Sequence, residues 1–137
     1  MRISFTIHGE PRGKGRPRFS RSGRVFTDAK TAAYERAIKA TAQSVMAGRS
    51  ALDGAVWVRI EAYLAAPSSI SKKKRAAMLS GETRPTKRPD LDNIVKAILD
   101  GINGVVFNDD SQVVGTGSQK FWTDKPRVEV TVGLVGE

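Results

Sequence analysis

The apolar positions of this chain recur with two different periods. Near the start, Ile3, Phe5 and Ile7 alternate with Arg2, Ser4 and Thr6. That period of two is what a strand with one buried face requires. Residues 55–64 repeat it, with Val56, Val58, Ile60 and Ala62 on one face and Trp57, Arg59, Glu61 and Tyr63 on the other. Val113–Phe121 and Val128–Leu134 predict two further strands, joined by a turn at Thr123–Pro126. Val105–Phe107 and Arg24–Phe26 read as short strands. Between residues 91 and 103 the period changes. Leu91, Ile94, Val95, Ile98, Leu99 and Ile102 make the stripe of a core-facing helix, which Gly104 can close in the left-handed conformation. A weaker stripe at Ala33, Ala37, Ile38, Ala40, Thr41 and Val45 predicts a helix capped by Thr27 or Asp28, running to about Ala47 and closed by Gly48. SKKKRAAML predicts a short basic helix. GEPRGKGRPRFSRSG reads as a basic loop and GETRPTKRP as a flexible segment, since glycine and proline interrupt both. No repeat or domain boundary is visible. The order predicts one small α+β (α/β) domain over residues 1–137, a mixed sheet with helices mainly on one face.

Composition narrows the chemistry. There is no cysteine and one histidine, His8, so any metal must be held by oxygen, which points to Mg, Mn or Ca. The net charge is +9, a field that attracts polyanions. No apolar run approaches the ~20 residues of a membrane span. The first residues lack the apolar stretch of a signal peptide. The expectation is a soluble cytoplasmic protein with no membrane partner. Residues 11–30 hold seven basic side chains and one acid, and residues 71–88 hold seven more and one acid. Five of the eight aspartates fall between 90 and 110.

That acidic cluster is the candidate site. In Pro89-Asp90-Leu91-Asp92-Asn93, Asp90 takes the helix N-cap and Asp92 the first turn. Leu91 points to the core, so its two acidic neighbours turn outward and can converge on one cation. Lys96 stands one turn beyond Asp92 on the same face. Taken singly, an N-cap aspartate is ordinary capping and an Asp92–Lys96 pair is ordinary surface pairing. In combination, bunched carboxylates in a basic chain repel each other unless a cation neutralises them. Asn108-Asp109-Asp110 offers the remaining ligand, brought back beside the helix start by a returning strand. Such a site suits metal-assisted cleavage of a phosphodiester, with Lys96 offsetting charge in the transition state. Asp100 reads either as a partner for Lys96 or Asn93 or as solvated surface. His8 reads as a strand residue, and Trp57 and Trp122 read as packing residues or, alternatively, as platforms for stacked bases.

At these positions the chain resembles the RusA-type endodeoxyribonucleases, the Holliday junction resolvases of phages and prophages. The resemblance rests on Pro89-Asp90-Leu91-Asp92-Asn93-Ile94-Val95-Lys96-Ala97-Ile98-Leu99-Asp100 followed by Asn108-Asp109-Asp110-Ser111-Gln112-Val113-Val114. It takes in Lys14-Gly15-Arg16-Pro17-Arg18 and the helix start at Thr31–Tyr34, and covers nearly the whole chain. It implies a RusA-like fold and a homodimer, dependent on Mg2+ with Mn2+ as substitute. Such a dimer resolves a four-way DNA junction by paired symmetric nicks, in recombination and repair within a bacterial cell. It implies Asp90, Asp92 and Asp110 as metal carboxylates and Lys96 as the essential basic residue of the site. The basic segments are expected to hold phosphates through Arg12, Lys14, Arg16 and Arg18 and through Lys72, Lys73, Lys74, Arg75, Lys87 and Arg88. The strands at 55–64 and 113–134 carry more apolar surface than the helices can cover, which is where a dimer contact is expected.

Two rivals remain. A restriction-type nuclease needs an acid before its lysine, and Gln119-Lys120 lacks it. A non-catalytic basic DNA-binding module accounts for the charge but leaves the clustered aspartates without a purpose.

Overall fold

The computed structural model describes residues 1–16 and 18–137. Of the basic loop, Pro17 lies outside the described residues. The alternating segments form β1 (Arg2–His8), β4 (Val56–Ala65), β5 (Val113–Thr123) and β6 (Arg127–Leu134). They make one sheet in the order β1-β6-β4-β5, with only β4 and β5 parallel. The sheet is therefore mixed, in a single small α+β domain. The predicted inward set of β4, Val56, Val58, Ile60 and Ala62, is buried, as is Leu64, and shares one face of the sheet with Ile3, Phe5 and Ile7 of β1 and Val128, Val130 and Val132 of β6.

Three helices complete the domain: α1 (Ala29–Met46), α2 (Lys72–Leu79) and α3 (Leu91–Ile102). In α3 the buried positions are Ile94, Ala97, Ile98, Gly101 and Ile102. Each buried isoleucine contributes roughly 1.5–3 kcal/mol, which makes this helix the centre of the core. A Cβ at Gly101 would lie 2.6 Å from Ile38 Cγ2, so only glycine lets α1 and α3 approach this closely. The stripe of α1 is Ile38, Ala42 and Met46 rather than the expected alanines; Ala33, Ala37 and Ala40 are exposed. Ile38 and Met46 set the buried face, and Ala42, which lies between them on it, is buried with them.

Three other expectations change. Residues 9–23 contain a strand, β2 (Arg18–Phe19), paired antiparallel with β3 (Val25–Phe26). Val105–Phe107 is a turn rather than a strand: the Val106 N–H bonds Ile102 O at 3.2 Å, and Phe107 bridges Asn103 and Leu52. The segment after α2 is docked rather than loose. Arg84 donates to Gly81 O at 2.9 Å and to Lys120 O at 2.9 Å, and Pro85 is buried.

Candidate nuclease site

Asp90 is the N-cap of α3, but its side chain makes no capping hydrogen bond. Asp28 shows the contrast, since its Oδ1 accepts the Thr31 N–H at 2.9 Å and caps α1. Asp90 is exposed, and its side-chain oxygens accept no hydrogen bond among the described residues. Asp92, exposed in the first turn, accepts only the adjacent Asn93 N–H, at 3.0 Å. Lys96 is exposed one turn along and makes no ion pair among the described residues.

What holds this turn in place comes from β5. The register partners of the buried Val58, Ile60, Ala62 and Leu64 are Thr116, Ser118, Lys120 and Trp122. The helix-facing side of β5 is therefore mostly polar, a floor for the site rather than core. Lys120 Nζ rises from it to donate to Lys87 O at 2.6 Å and to Pro89 O at 2.9 Å. Lys87 in turn places its ammonium 5.4 Å from the Trp122 ring centroid. The Arg88–Pro89 bond is cis. On the other side, the Lys14 N–H donates to Asn93 O at 2.9 Å. A Cβ on Gly13 would come within 3.0 Å of Asn93 Cβ, so the basic loop lies directly on the start of α3.

The space between them is a cleft of about 650 Å³ that includes Asp90 and Asn93 and is walled by Arg12, Arg16, Lys30 and Arg88. An acid with free oxygens in a basic cleft is suited to meet a phosphate with a cation between. Lys14 has another task. Its ammonium sits between Glu35 and Asp100, 2.9 Å from the latter. Burial opposes its charge, but the two carboxylates outweigh that and hold its pKa above the usual lysine value. Lys14 thus anchors the loop to α1 and α3, and Asp100 belongs to this anchor rather than to Lys96 or Asn93. Arg12, Arg16, Arg18, Lys72, Lys73, Lys74, Lys87 and Arg88 are exposed; Arg75 is half-buried and donates weakly to Pro67 O at 3.4 Å.

The second acidic group is at a 3-10 turn, Asp110–Gln112, capped by Asp109. Hydrogen bonds from the Ser111 hydroxyl and N–H hold the Asp109 carboxyl below the usual aspartate range. Gln112 clamps the turn: its Oε1 accepts from Asn108 and Asp109 N–H, and its Nε2 donates to Leu52 O and Gly54 O, both at 2.9 Å. Asp109 is thereby committed to the turn, whereas the Asp110 side chain is exposed and accepts no hydrogen bond among the described residues.

The chain does not return this group to the start of α3. Without a strand at 105–107, Asp110 stays beside the far end of the helix. Twelve helical residues separate the ends, on the order of 18 Å. The seven steps along β5 from Val113 to Lys120 measure about 23 Å. Among the described residues no group of three or more Asp, Glu or His side chains is placed to hold a metal ion. Within one chain, then, Asp90 and Asp92 are neighbours and Asp110 stands apart.

Lys120 and Gln112 carry the local architecture. In the sequence Gln112 is one position of a motif with no role of its own, and Lys120 stands out only as a lysine that lacks the acid of a restriction-type motif. A lysine at a core-facing strand position is the signal that marks Lys120, and it appears only once the register is known. Trp57 lies against Gly133, where a Cβ would be 2.6 Å from its ring, with the Arg2 guanidinium 5.4 Å from the ring centroid, so it packs. Among the described residues no helix is long and apolar enough to cross a membrane.

The model of the family described as "Endodeoxyribonuclease RusA" matches residues 8–133. The chain is also 39% identical over 134 residues, 95% of its own length and 94% of the other's, to a Bacillus subtilis (strain 168) protein described as "Uncharacterized protein YqaN". With the match running from the end of β1 to the end of β6, this chain belongs to the RusA family of endodeoxyribonucleases.

Proposed function

We propose that the chain is a divalent-cation-dependent endonuclease that resolves four-way DNA junctions by paired symmetric nicks, acting as a homodimer in the bacterial cytoplasm. The observation that carries this reading is Asp90, an N-cap carboxylate with no capping hydrogen bond in a basic cleft, with Asp92 exposed two residues further along. In it, Asp90 and Asp92 of one chain and the partner subunit's Asp110 form each site. Carboxylate oxygens alone fit a hard cation such as Mg2+, with Mn2+ as substitute. Bound there, the cation would acidify a water and supply the attacking hydroxide. Lys96 offsets charge gathering on the phosphate, and Arg12, Arg16, Arg88 and the lysines of α2 position flanking phosphates.

The outer strand of the sheet supports the two-chain site. β5 has a neighbour on one side only. Its first half, residues 113–118, reads VVGTGS, without the charges or prolines that blunt natural edges. Val114 is 64% exposed. The two ends of β5 differ in sign: Asp109 and Asp110 precede it, while Lys120 holds Lys87 and Arg88 at the other end. A two-fold axis through residues 113–118 pairs the strand antiparallel with its copy. Each acidic end then meets the partner's basic end, and each Asp110 approaches the other chain's Asp90 and Asp92.

Cleavage of a cruciform in supercoiled plasmid tests the reading. Wild-type protein with Mg2+ should linearise the plasmid, and Asp92→Asn should bind the junction but not cut it. Wild-type protein that binds DNA and cuts none of it with Mg2+ or Mn2+ would replace this reading with a non-catalytic DNA-binding module.

A further inference from the structure

The β2–β3 hairpin presents its apolar residues outward. Phe19 and Val25 are directly opposed across the ribbon, 72% and 57% exposed, and Phe26 is 45% exposed. Phe19 is the most exposed large apolar side chain among the described residues. Among the described residues nothing covers this cluster. The tip itself is tightly tied: the Ser20 N–H bonds Arg24 O at 2.8 Å, the Gly23 N–H bonds Ser20 O at 2.9 Å, and the Arg24 N–H bonds Ser20 Oγ at 3.1 Å. A bare apolar cluster on an ordered turn marks a contact surface.

Its surroundings identify the partner. Arg16, Arg18, Arg21 and Arg24 are all exposed around the ribbon. The nearest acid, Asp28, is committed to the N–H and hydroxyl of Thr31, at 2.9 and 2.8 Å. A partner that accepts both a cluster of arginines and an aromatic ring combines anionic and flat apolar surfaces, as nucleic acid does. The base of the hairpin is fastened at Gly15 N–H to Thr31 Oγ1, 3.2 Å, and through Lys14 to Asn93 and Asp100. Those anchors border the cleft that contains Asp90. The hairpin therefore begins three residues from a loop anchored beside the candidate site.

We propose that Phe19, backed by Val25, is a wedge that enters the interrupted base stack at the branch point of the DNA substrate, and that this wedge confers selection of branched over linear DNA. Apolar side chains inserted between base steps must unstack them. In a continuous duplex every step resists that entry. At a branch point the stacking is already broken, so the same side chain enters at lower cost and gains a stacked contact. The arginines serve linear and branched DNA alike, because they meet phosphate. The inference rests on the branched-DNA reading above and adds the residue that recognises the branch.

The test is Phe19→Ser, with Val25→Ser as a second variant and Phe19→Tyr as the conservative one. Binding is measured in EDTA to a four-way junction carrying 2-aminopurine at the branch point and to a linear duplex of the same length. Wild-type protein should raise the branch-point fluorescence and prefer the junction. Phe19→Ser should abolish that rise and lose roughly ten- to hundredfold in junction affinity, the range set by one lost base–aromatic contact. Its duplex affinity should change by less than about twofold, as expected when phosphate contacts remain. Phe19→Tyr should restore both signals. Equal losses on junction and duplex would overturn the wedge, as would a junction preference that survives Phe19→Ser. A shift of Phe19→Ser to monomer in sedimentation, with DNA binding per monomer unchanged, would make the tip a protein contact instead. A wild-type protein with no junction preference would remove the branched-DNA reading itself.

Discussion

Lys120 makes a demanding test of how the site is held. Its ammonium joins β5 to the backbone just before Asp90 through two charge-assisted hydrogen bonds, 2.6 Å to Lys87 O and 2.9 Å to Pro89 O. Such bonds are each worth about 1.5–3 kcal/mol in a shielded setting. The Lys87 carbonyl is exposed and the Pro89 carbonyl part-buried, so both recover some hydration when the lysine is removed. About 2 kcal/mol is the expected net loss for Lys120→Met. At ~2.1 cal/mol/K per residue, the 137 residues give an unfolding entropy near 290 cal/mol/K, so the midpoint should fall by about 7 °C. The same loss lets the turn before α3 move, and Asp90 with it. The cleavage rate of bound junction should then drop at least about tenfold, while affinity, which the proposal assigns to exposed arginines and lysines, should change little. Thermal unfolding followed by circular dichroism and single-turnover cleavage at saturating protein measure the two effects. An unchanged midpoint together with an unchanged rate would refute the role assigned to Lys120.

Three further outcomes are expected. Lys96→Ala should reduce the rate of bound complex more than it weakens junction binding, because the ammonium acts on charge that grows in the transition state; a loss wholly in affinity would make Lys96 a phosphate contact. Mg2+ or Mn2+ should support cleavage and Ca2+ binding only, since the larger, looser shell of Ca2+ positions water poorly; full activity in excess EDTA would contradict the oxygen-ligated site. The Lys14 ion pairs should show in alkaline unfolding. The folded-state pKa lies above the ordinary 10.5, so their stabilisation is complete below that value and is lost as pH rises through the folded value. Lys14→Met should be less stable than wild type at neutral pH, and the difference should shrink above about pH 10.5. A difference that stays constant to higher pH would show that the lysine's charge contributes nothing.

Much of this architecture was legible in the chain, and the reasons differ by element. β1, β4 and α3 show strong alternation or a strong helical stripe, and one buried face alone determines each. The stripe of α1 was misread because alanines carry little weight in a pattern, whereas Ile38 and Met46 decide what is buried. β2 escaped notice because two residues between glycines and prolines have no period to detect. Asp90 and Asp92 were placed by local chemistry, a proline before them and the start of a strongly striped helix; Leu91 between them is only half-buried and lies outside the core. The position of Asp110 was not, since it depends on whether residues 105–107 form a strand, and the burial of Phe107 between Asn103 and Leu52 is a tertiary contact. The role of Lys120 likewise needs the β4–β5 register, a relation between residues 62 and 120 that no local window contains.

The most direct test of the two-chain site mixes two inactive proteins. Asp92→Asn and Asp110→Asn, each purified alone, should fail to cut a supercoiled cruciform plasmid in Mg2+. Co-expressed with different tags and isolated as the heterodimer, they leave one site with both substitutions and one with neither, provided that each site draws Asp110 from the partner. The heterodimer should then nick one strand of the junction and yield open circles, where wild type yields linear plasmid. If each site is built within a single chain, every site in the heterodimer carries one substitution. A heterodimer that forms, binds the junction and remains as inactive as its parents would contradict the shared site.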